Sequence, residues 1–285
     1  MRMTEKLIAL IDGSIYSKSV CDNAAWISRR TGAPIELLHV LGRRETASSD
    51  LSGSIALGAR TALLEELSSL DEQRSKLARK RGRAILEDAE EILRSAGVEN
   101  VTSRLRHGDL LEEVAAAESD SRGIVIGKRG EAADFAKLHL GSNLERIARS
   151  ATKPVFVAAR AFRPIEKVLI AYDGGPSAMK AVDHIARAPL FSGLDIRLLT
   201  VGSESTDLGR RLEDAKAILK AGGHNASAEI VPGQVEKAIS GFVDRDSIDL
   251  LVMGAYGHSR IRAMIIGSTT AEMIRLCKVP VALFR

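Results

Sequence analysis

Several residue types that define whole classes of protein are scarce in this sequence. The 285 residues include only two cysteines, Cys21 and Cys277, which lie far apart and form no Cys-x-x-Cys pair. Neither a disulfide framework nor a zinc cluster is therefore expected, and the six histidines show no metal-ligand spacing. The apolar run at residues 7–11 is too short for a signal peptide, and no run approaches the length of a membrane-spanning helix. We therefore expect a cytoplasmic protein with buried, reduced thiols and no membrane partner.

An excess of charge of one sign is also missing. The sequence has 41 lysines and arginines against 37 aspartates and glutamates, a net charge of +4. This excess is too small to indicate nucleic acid as a partner. The densest basic cluster, residues 76–83, is interrupted by apolar residues at helical spacing, which favours a solvated helix face over a polyanion site. With 45% hydrophobic and 27% charged residues, the composition is typical of a globular protein.

What the sequence does contain is an internal repeat. Four segments recur in the same order in the two halves of the chain. They are residues 6–14 with 167–175, 35–40 with 196–201, 123–130 with 250–257, and 153–157 with 279–283. The chain is therefore predicted to be a tandem duplication, with domains at residues 1–160 and 161–285. The join at residues 159–164 is short, so we expect the two halves to dock on each other.

The two copies differ most between their second and third predicted strands, where the first copy carries a long helical insertion. Apolar residues in this insertion recur at helical spacing and form one stripe. Its members are Leu63, Leu64, Leu67, Leu70, Leu77, Ile85, Leu86, Ala89, Ile92 and Leu93. We interpret the stripe as core or as a helix–helix contact, with a surface for a partner protein as the alternative.

The order of strands and helices predicts the fold class. In each copy, apolar strand-like runs alternate with helix-compatible segments, and no hairpin turn separates the first two strands. This pattern indicates parallel sheets. We therefore predict an α/β protein of two tandem doubly wound, Rossmann-like domains, each with a five-stranded parallel sheet. Such sheets bind ligands where the strand order reverses.

One stretch of the second copy has the character of a phosphate-binding loop. The apolar run 250–253 ends in Gly254, Gly257 follows after two residues, and Gly267 follows after nine more. Hydroxyl residues at 268–270 then open a helix-compatible segment. Glycines let backbone N–H groups approach a ligand closely, and a helix N-terminus supplies N–H donors with a partial positive charge. The expected ligand is a phosphate chain.

The string Gly-x2-Gly-x9-Gly-Ser after a buried strand resembles the nucleotide signature of the universal stress protein family, in its ATP-binding branch. The resemblance covers nearly the whole chain. It implies strand order 3-2-1-4-5 in each copy and ATP as the ligand of the second copy. Any Mg²⁺ would be held through the ATP phosphates, with no metal ligand from the protein. The implied nucleotide-binding residues are Ala171, Tyr172, Asp173, Val201, Met253, Gly254, Tyr256, Gly257, Gly267, Ser268, Thr269 and Thr270.

The resemblance also implies a role for each part of this set. Residues 171–173 would hold the adenine and ribose end, and backbone groups of Val201 would contact the adenine edge. Residues 253–257 would line the ribose and first phosphates, and residues 267–270 would cradle the outer phosphates. Tyr256 stands where relatives often have histidine or arginine.

The first copy retains only part of the pattern. Its counterparts, a possible second site, are Asp12, Gly127, Gly130, Gly141 and Ser142. The interval before the last glycine is ten residues instead of nine, and no threonines follow the serine. One extra residue displaces the loop by up to about 3.5 Å, enough to spoil convergent N–H geometry. We therefore predict a degenerate site, at which Lys128 and Arg129 could still attract an anion.

Two functions remain open. In the first, the chain is a stress-response regulator in which ATP sets a conformation or a surface for a still unknown protein partner. In the second, it is a slow ATPase or phosphotransferase that uses the same site. Catalysis needs a positioned base or a metal-holding carboxylate. Near the loop the sequence offers only Glu272 as an acid and His258 as a candidate base, which favours the regulator.

The predicted fifth strands, residues 155–158 and 281–284, are apolar and would form sheet edges. An uncovered apolar edge invites aggregation. The resemblance implies that such strands pair antiparallel, which here would make an internal pseudo-dimer. A homodimer of tandem chains is a further option.

Overall fold

The structure, a computed structural model, describes residues 5–42, 59–130, 141–203, 205–255 and 267–285, with side chains described for all of these except residues 59–64. Three predicted or candidate site residues, Tyr256, Gly257 and His258, lie outside this set. None of the described helices combines the length and the apolar character that a membrane-spanning segment requires.

Strands and helices alternate through both halves, as predicted. The first half contains β1 (Lys6–Leu10), α1 (Ser17–Thr31), β2 (Ile35–Leu41), α2 (Ala59–Ser95), β3 (Val101–His107), α3 (Leu110–Glu118), β4 (Ser121–Gly127), α4 (Ser142–Ser150) and β5 (Val155–Ala158). The second half contains β6 (Lys167–Ala171), α5 (Pro176–Arg187), β7 (Asp195–Val201), α6 (Thr206–Ala221), β8 (Ala226–Val231), α7 (Val235–Arg245), β9 (Leu250–Gly254), α8 (Ser268–Leu276) and β10 (Val281–Phe284). The α/β fold class is confirmed.

The ten strands of the described residues belong to one continuous sheet, in the order β3-β2-β1-β4-β5-β10-β9-β6-β7-β8. Within each half the strands are parallel and follow the predicted order 3-2-1-4-5, with the reversal between the first and fourth strands. The halves meet where β5 and β10 pair antiparallel, with Val157 opposite Val281 and Val155 opposite Leu283. The antiparallel pairing of the fifth strands is therefore confirmed.

Helices cover both faces of this sheet, which explains why its strands read as apolar runs. In β1, Leu7 and Ala9 belong to the core on one face, while Ile8 and Leu10 belong to the core on the other. Alternate side chains of a strand point to opposite faces, so both sets must be apolar when both faces are buried. Both cores continue across the β5–β10 junction, because each strand contributes residues to each layer.

The leucine stripe of α2 is confirmed only in its C-terminal part. Leu86, Ala89 and Leu93 are buried in the core, but Leu70 and Leu77 are 45% and 67% exposed. These two leucines therefore belong neither to the core nor to a contact with another described helix of the same chain. The reason is length: a helix of 37 residues extends over roughly 55 Å, whereas strands of seven residues span about 23 Å. Only part of such a helix can lie on the sheet.

Both cysteines are free and buried, as predicted. Burial raises the pKa of the Cys21 thiol to about 12 and that of Cys277 to about 11. Thiols with such pKa values stay protonated and are poor nucleophiles.

Candidate functional site

The carboxyl ends of β6 and β9 lie side by side at the point where the strand order reverses. Ala171, the last residue of β6, pairs with Met253. In the turn that follows, the Asp173 carboxylate accepts a hydrogen bond from the Gly175 N–H at 2.8 Å. Gly174 has a φ of 70°, in the left-handed region that favours glycine. This turn holds the exposed Asp173 beside the end of β9.

Tyr172 and Val201 lie at the neighbouring strand end. The ring of Tyr172 is buried, and burial raises the pKa of its phenol. Its carbonyl accepts a hydrogen bond from the Thr200 hydroxyl at 2.8 Å, and its N–H donates to the Leu199 carbonyl at 2.8 Å. Val201 follows Thr200 at the end of β7 and is half-buried. The adenine-side residues therefore lie on adjacent strand ends, and their contact with a nucleotide stays a prediction.

Helix α8 begins directly beside the end of β9. Thr270 is buried and donates to the Gly254 carbonyl at 3.2 Å, which ties the first turn of the helix to the strand. Gly254 also allows α5 to approach closely, since a Cβ there would lie 2.9 Å from the Cβ of Ser177. Gly267 is the residue before the helix, and no side chain of the described residues caps its N-terminus. The opening between β6, β9 and this N-terminus, here called the β6–β9 cleft, is therefore lined by backbone N–H donors.

Two of the three predicted hydroxyl residues have partners within the protein. The Thr270 hydroxyl is directed to β9, and the Thr269 hydroxyl donates to the Glu236 carboxylate at 2.8 Å. Ser268 is exposed at the start of the helix. Of the three, Ser268 is therefore the side chain best placed to meet a phosphate.

Glu236 is a residue that sequence reasoning missed. It lies in the first turn of α7, and hydrogen bonds from its own backbone N–H and from Thr269 lower the pKa of its carboxyl group. It is far from the glycine string in sequence, and only the packing of α7 against α8 brings it there. No local pattern around residue 236 could have identified it.

A shallow groove of about 660 Å³ runs between α7 and α8 beyond this point. Its lining includes Glu236, Asp244 and Glu272 as well as Ser268. The volume would hold a small molecule. These three carboxylates outweigh Lys237, the one lysine of the lining, and repel a phosphate chain. We therefore place the candidate phosphate position in the β6–β9 cleft and not in this groove.

Helix α6 supplies a cation that the sequence analysis also missed. The Arg211 guanidinium lies 3.4 Å from the position that a Cβ on Gly174 would take, and it forms an ion pair with Asp207 at 2.9 Å. It therefore stands over the turn that carries Asp173. In the sequence, Arg211 is one of two adjacent arginines within an ordinary helical pattern, and nothing marks it as part of a site.

The first half builds the same turn with different surroundings. Asp12 accepts a hydrogen bond from the Ser14 N–H at 3.0 Å, and Gly13 has a φ of 75°. In the second half, Arg211 covers this turn. In the first half, the equivalent place is taken by Ile85, whose side chain lies 2.7 Å from the position of a Cβ on Gly13. An Asp12 carboxylate oxygen is 3.0 Å from the Cβ position of Gly130. The turn in the first half therefore has an apolar cover from α2.

The structure also brings together the other first-half counterparts. Gly127 ends β4 against Tyr16, whose Cβ is 2.7 Å from a Cβ position on that glycine. The N–H of Gly141 donates to the Lys128 carbonyl at 3.3 Å, and Ser142 begins α4. Asp12, Gly130 and Gly141 therefore lie near one another. The ten residues between the two glycines, 131–140, lie outside the described residues.

Lys128 is not available to the first-half site. Its side chain is 8% exposed, and its ammonium donates to the carbonyl of Cys277, the residue that caps the C-terminus of α8. A cation at this end of a helix complements the helix dipole. Arg285 makes the reciprocal contact from the second half, donating to the Arg149 carbonyl in the last turn of α4 at 2.6 Å. The expectation that Lys128 attracts an anion is therefore wrong.

The buried ammonium of Lys128 predicts an unusual dependence of stability on pH. Burial lowers the pKa of Lys128 from 10.5 to about 8. Between these pH values the unfolded chain binds more protons than the folded chain, so stability increases as the pH rises. We expect the free energy of unfolding of the wild-type chain, relative to Lys128→Met, to increase by roughly 1–3 kcal/mol from pH 8 to pH 10.

Urea unfolding of both proteins at the two pH values measures this difference. Lys180→Met is the matched control, because Lys180 is an exposed lysine of α5. A wild-type minus Lys128→Met difference that does not change with pH would show that Lys128 is not buried as a cation.

Comparison with known proteins gives a consistent result. The model of the universal stress protein family matches residues 3–159 and 164–285. Universal stress protein Slr1230 of Synechocystis is 37% identical over 286 residues, covering 99% of this chain and 100% of that protein. Universal stress protein YxiE of Bacillus subtilis is 28% identical over 157 residues, covering 54% of this chain and 99% of that protein.

A solved structure shows the same fold across both halves. The crystal structure of a universal stress protein from Archaeoglobus fulgidus superposes with a TM-score of 0.72 at 22% identity, covering 99% of this chain and 97% of that chain. The family model itself covers nearly all of the sequence in two consecutive segments. The chain therefore belongs to the universal stress protein family.

Proposed function

We propose that the second half binds ATP in the β6–β9 cleft and that the chain acts as a nucleotide-dependent regulator in the stress response. The observation that carries the proposal is the N-terminus of α8, held at the end of β9 by the bond from Thr270 to Gly254. This contact places backbone N–H donors and the exposed Ser268 where the strand order reverses. A helix N-terminus at such a position suits a phosphate group.

The other charges around the cleft fit the two ends of a nucleotide. Asp173 is an exposed carboxylate, which accepts hydrogen bonds from ribose hydroxyls. Arg211 stands over the same turn and offers a planar guanidinium to phosphate oxygens. These groups hold and orient the ligand, and Mg²⁺ would be bound through the ATP phosphates.

The differences between the halves support one nucleotide site per chain. In the first half, Ile85 replaces Arg211 over the turn, and Lys128 is bonded to α8 of the other half. The first difference removes positive charge from the place where phosphates would lie, and the second means that Lys128 supplies none there. We therefore propose residues 161–285 as the domain with the intact site and residues 1–160 as the domain with a degenerate one.

A regulatory function suits the site better than turnover. Within the described part of the chain, Glu236 lies in the first turn of α7, and Glu272 lies one turn into α8. Glu236 accepts a hydrogen bond from Thr269, and Glu272 is ion-paired with Arg275. Backbone donors bind the ground state and the transition state about equally well, and uniform binding does not accelerate a reaction. Bound ATP would instead stabilise a conformation that a partner protein recognises.

An ATP titration combined with a phosphate-release assay tests this function. We expect calorimetry to show one ATP bound per chain, and phosphate release far slower than the about 1 per second of an ordinary enzyme. The alternative, an ATPase or phosphotransferase, predicts turnover near that rate that is lost in His258→Ala. Failure to bind any adenine nucleotide would contradict the proposal itself.

A further inference from the structure

The N-terminal part of α2 extends away from the body of the protein. From Gly82 onward the helix packs on the core, but in residues 65–81 no side chain is fully buried. Leu77, at 67% exposed, and Leu70, at 45%, are among the most exposed large apolar side chains of the described residues. A helical segment of this length has only marginal stability in water unless it packs against another element. This segment, residues 65–81, is here called the projecting helix.

Charge is divided along this part of α2. Four acidic residues come first, Glu65, Glu66, Asp71 and Glu72, and six basic residues follow, Arg74, Lys76, Arg79, Lys80, Arg81 and Arg83. An ordinary solvated helix mixes the two signs at a spacing of three or four residues. Here the described ion pair that joins the two groups is the one between Glu72 and Lys76, at 2.7 Å. The segment is therefore an acidic half followed by a basic half.

The apolar residues of the projecting helix follow a heptad pattern. Leu67, Leu70 and Leu77 fall at positions a, d and d of successive heptads, and Arg74 and Arg81 occupy the intervening a positions. Alternating intervals of three and four residues are the pattern of a two-helix contact. Arginines at this seam weaken the pairing and require carboxylates nearby.

The distribution of charge selects the partner. A nucleic acid or another polyanion would match the basic half but repel the acidic half. A parallel copy of the same helix would place like charges side by side. An antiparallel copy places the acidic half of each chain against the basic half of the other. In that arrangement Leu67 of each chain packs on Leu77 of the other, and Leu70 of each chain packs on the aliphatic part of Arg74 of the other.

We propose that the projecting helix pairs antiparallel with the same helix of a second copy, making a two-fold homodimer of tandem chains. The axis lies near Glu72, so that Leu67 faces Leu77 of the partner subunit, and Glu66 lies beside this seam close to Lys80 of the partner subunit. The arrangement is isologous and closes at two copies. Each helix begins to pack on the core of its own chain at Gly82, about 15 Å from the axis. The two cores therefore lie at opposite ends of the helix pair.

Charge reversal in the full-length chain gives a sharp test. One variant, E65K/E66K/E72K, leaves Asp71 as the single acidic residue of the projecting helix. The other, R79E/K80E/R83E, makes residues 65–83 predominantly acidic. All six positions are exposed. Sedimentation velocity over a concentration series at low salt should show a wild-type dimer. Each variant alone should self-associate at least about tenfold more weakly, a loss of 1.4 kcal/mol or more.

The decisive measurement is the equimolar mixture of the two variants. It should form a heterodimer about as stable as the wild-type homodimer, because opposite charges again face each other. Leu77→Glu should be monomeric in every combination. Circular dichroism and thermal melting of each variant confirm that the core, to which α2 is anchored from Gly82 onward, is intact.

Three outcomes would overturn the proposal. They are a wild-type chain that stays monomeric at all concentrations, a dimer that persists in Leu77→Glu, and a mixture that fails to associate. A monomeric wild-type chain that binds heparin, and loses this binding in R79E/K80E/R83E, would identify a polyanion as the partner instead.

Discussion

Gly257→Val is expected to abolish ATP binding by the full-length chain. Gly257 is the middle glycine of the string that joins the end of β9 to the start of α8. A valine there restricts the backbone and keeps the N–H groups of the loop away from the phosphates. Each lost hydrogen bond to a charged group is worth about 1.5–3 kcal/mol. Loss of two such bonds weakens binding by more than about 100-fold, measurable by calorimetry.

Gly130→Val is the matched control, since Gly130 occupies the corresponding position in the first half. A Cβ at Gly130 would lie 3.0 Å from a carboxylate oxygen of Asp12, so any disturbance is confined to the first-half turn. We expect ATP affinity to remain within about twofold of wild type, with melting temperatures recorded for both variants. Loss of binding in Gly130→Val together with full binding in Gly257→Val would place the nucleotide in the first half.

Separating the halves is expected to have the largest effect on solution behaviour. All four residues of β5 and all four of β10 are buried in the intact chain. If residues 1–160 and 161–285 are expressed separately, each half exposes an apolar strand edge. Edges of this kind pair with any available strand, so we expect self-association or precipitation. Light scattering coupled to gel filtration measures the outcome.

Coexpression of the two halves is the control for this experiment. Beyond the strand pairing, the junction includes the bond from Lys128 to the Cys277 carbonyl and the bond from Arg30 to the Leu190 carbonyl at 2.6 Å. The two fragments together can restore all of these contacts, and a stable one-to-one complex is therefore expected. Two separate halves that both remain monomeric and folded would show that the β5–β10 junction does not hold the protein together.

The fold could be predicted almost completely from the sequence, because its determinants are local and repeated. Alternate residues of β1 fill cores on opposite faces, so a strand buried on both sides reads as a continuous apolar run. The duplicated runs then predict two similar sheets. Their strand order came from the family resemblance, since apolar runs do not reveal which strands are neighbours.

The candidate site was predictable only where its residues lie next to one another in sequence. Asp173 and Gly254 end two apolar runs and were identifiable for that reason. Arg211 and Glu236 reach the same region from helices on opposite faces of the sheet, and their positions depend on helix packing. The exposure of Leu70 and Leu77 on α2 was not predicted, for a related reason. Helical spacing shows that residues share a face and does not show whether another element covers it.

The contacts of Lys128 and Arg285 show that each half of this duplicated protein contributes a charged side chain to a helix end of the other half. The counterpart of Lys128 in the second half is the buried Ala255, so one copy of an ancestral loop position now carries a charge that the other lacks. That charge supports the far end of α8, a helix of nine residues and about 13 Å whose other end borders the β6–β9 cleft. Residues of the first half therefore help to hold the helix that borders the β6–β9 cleft of the second half.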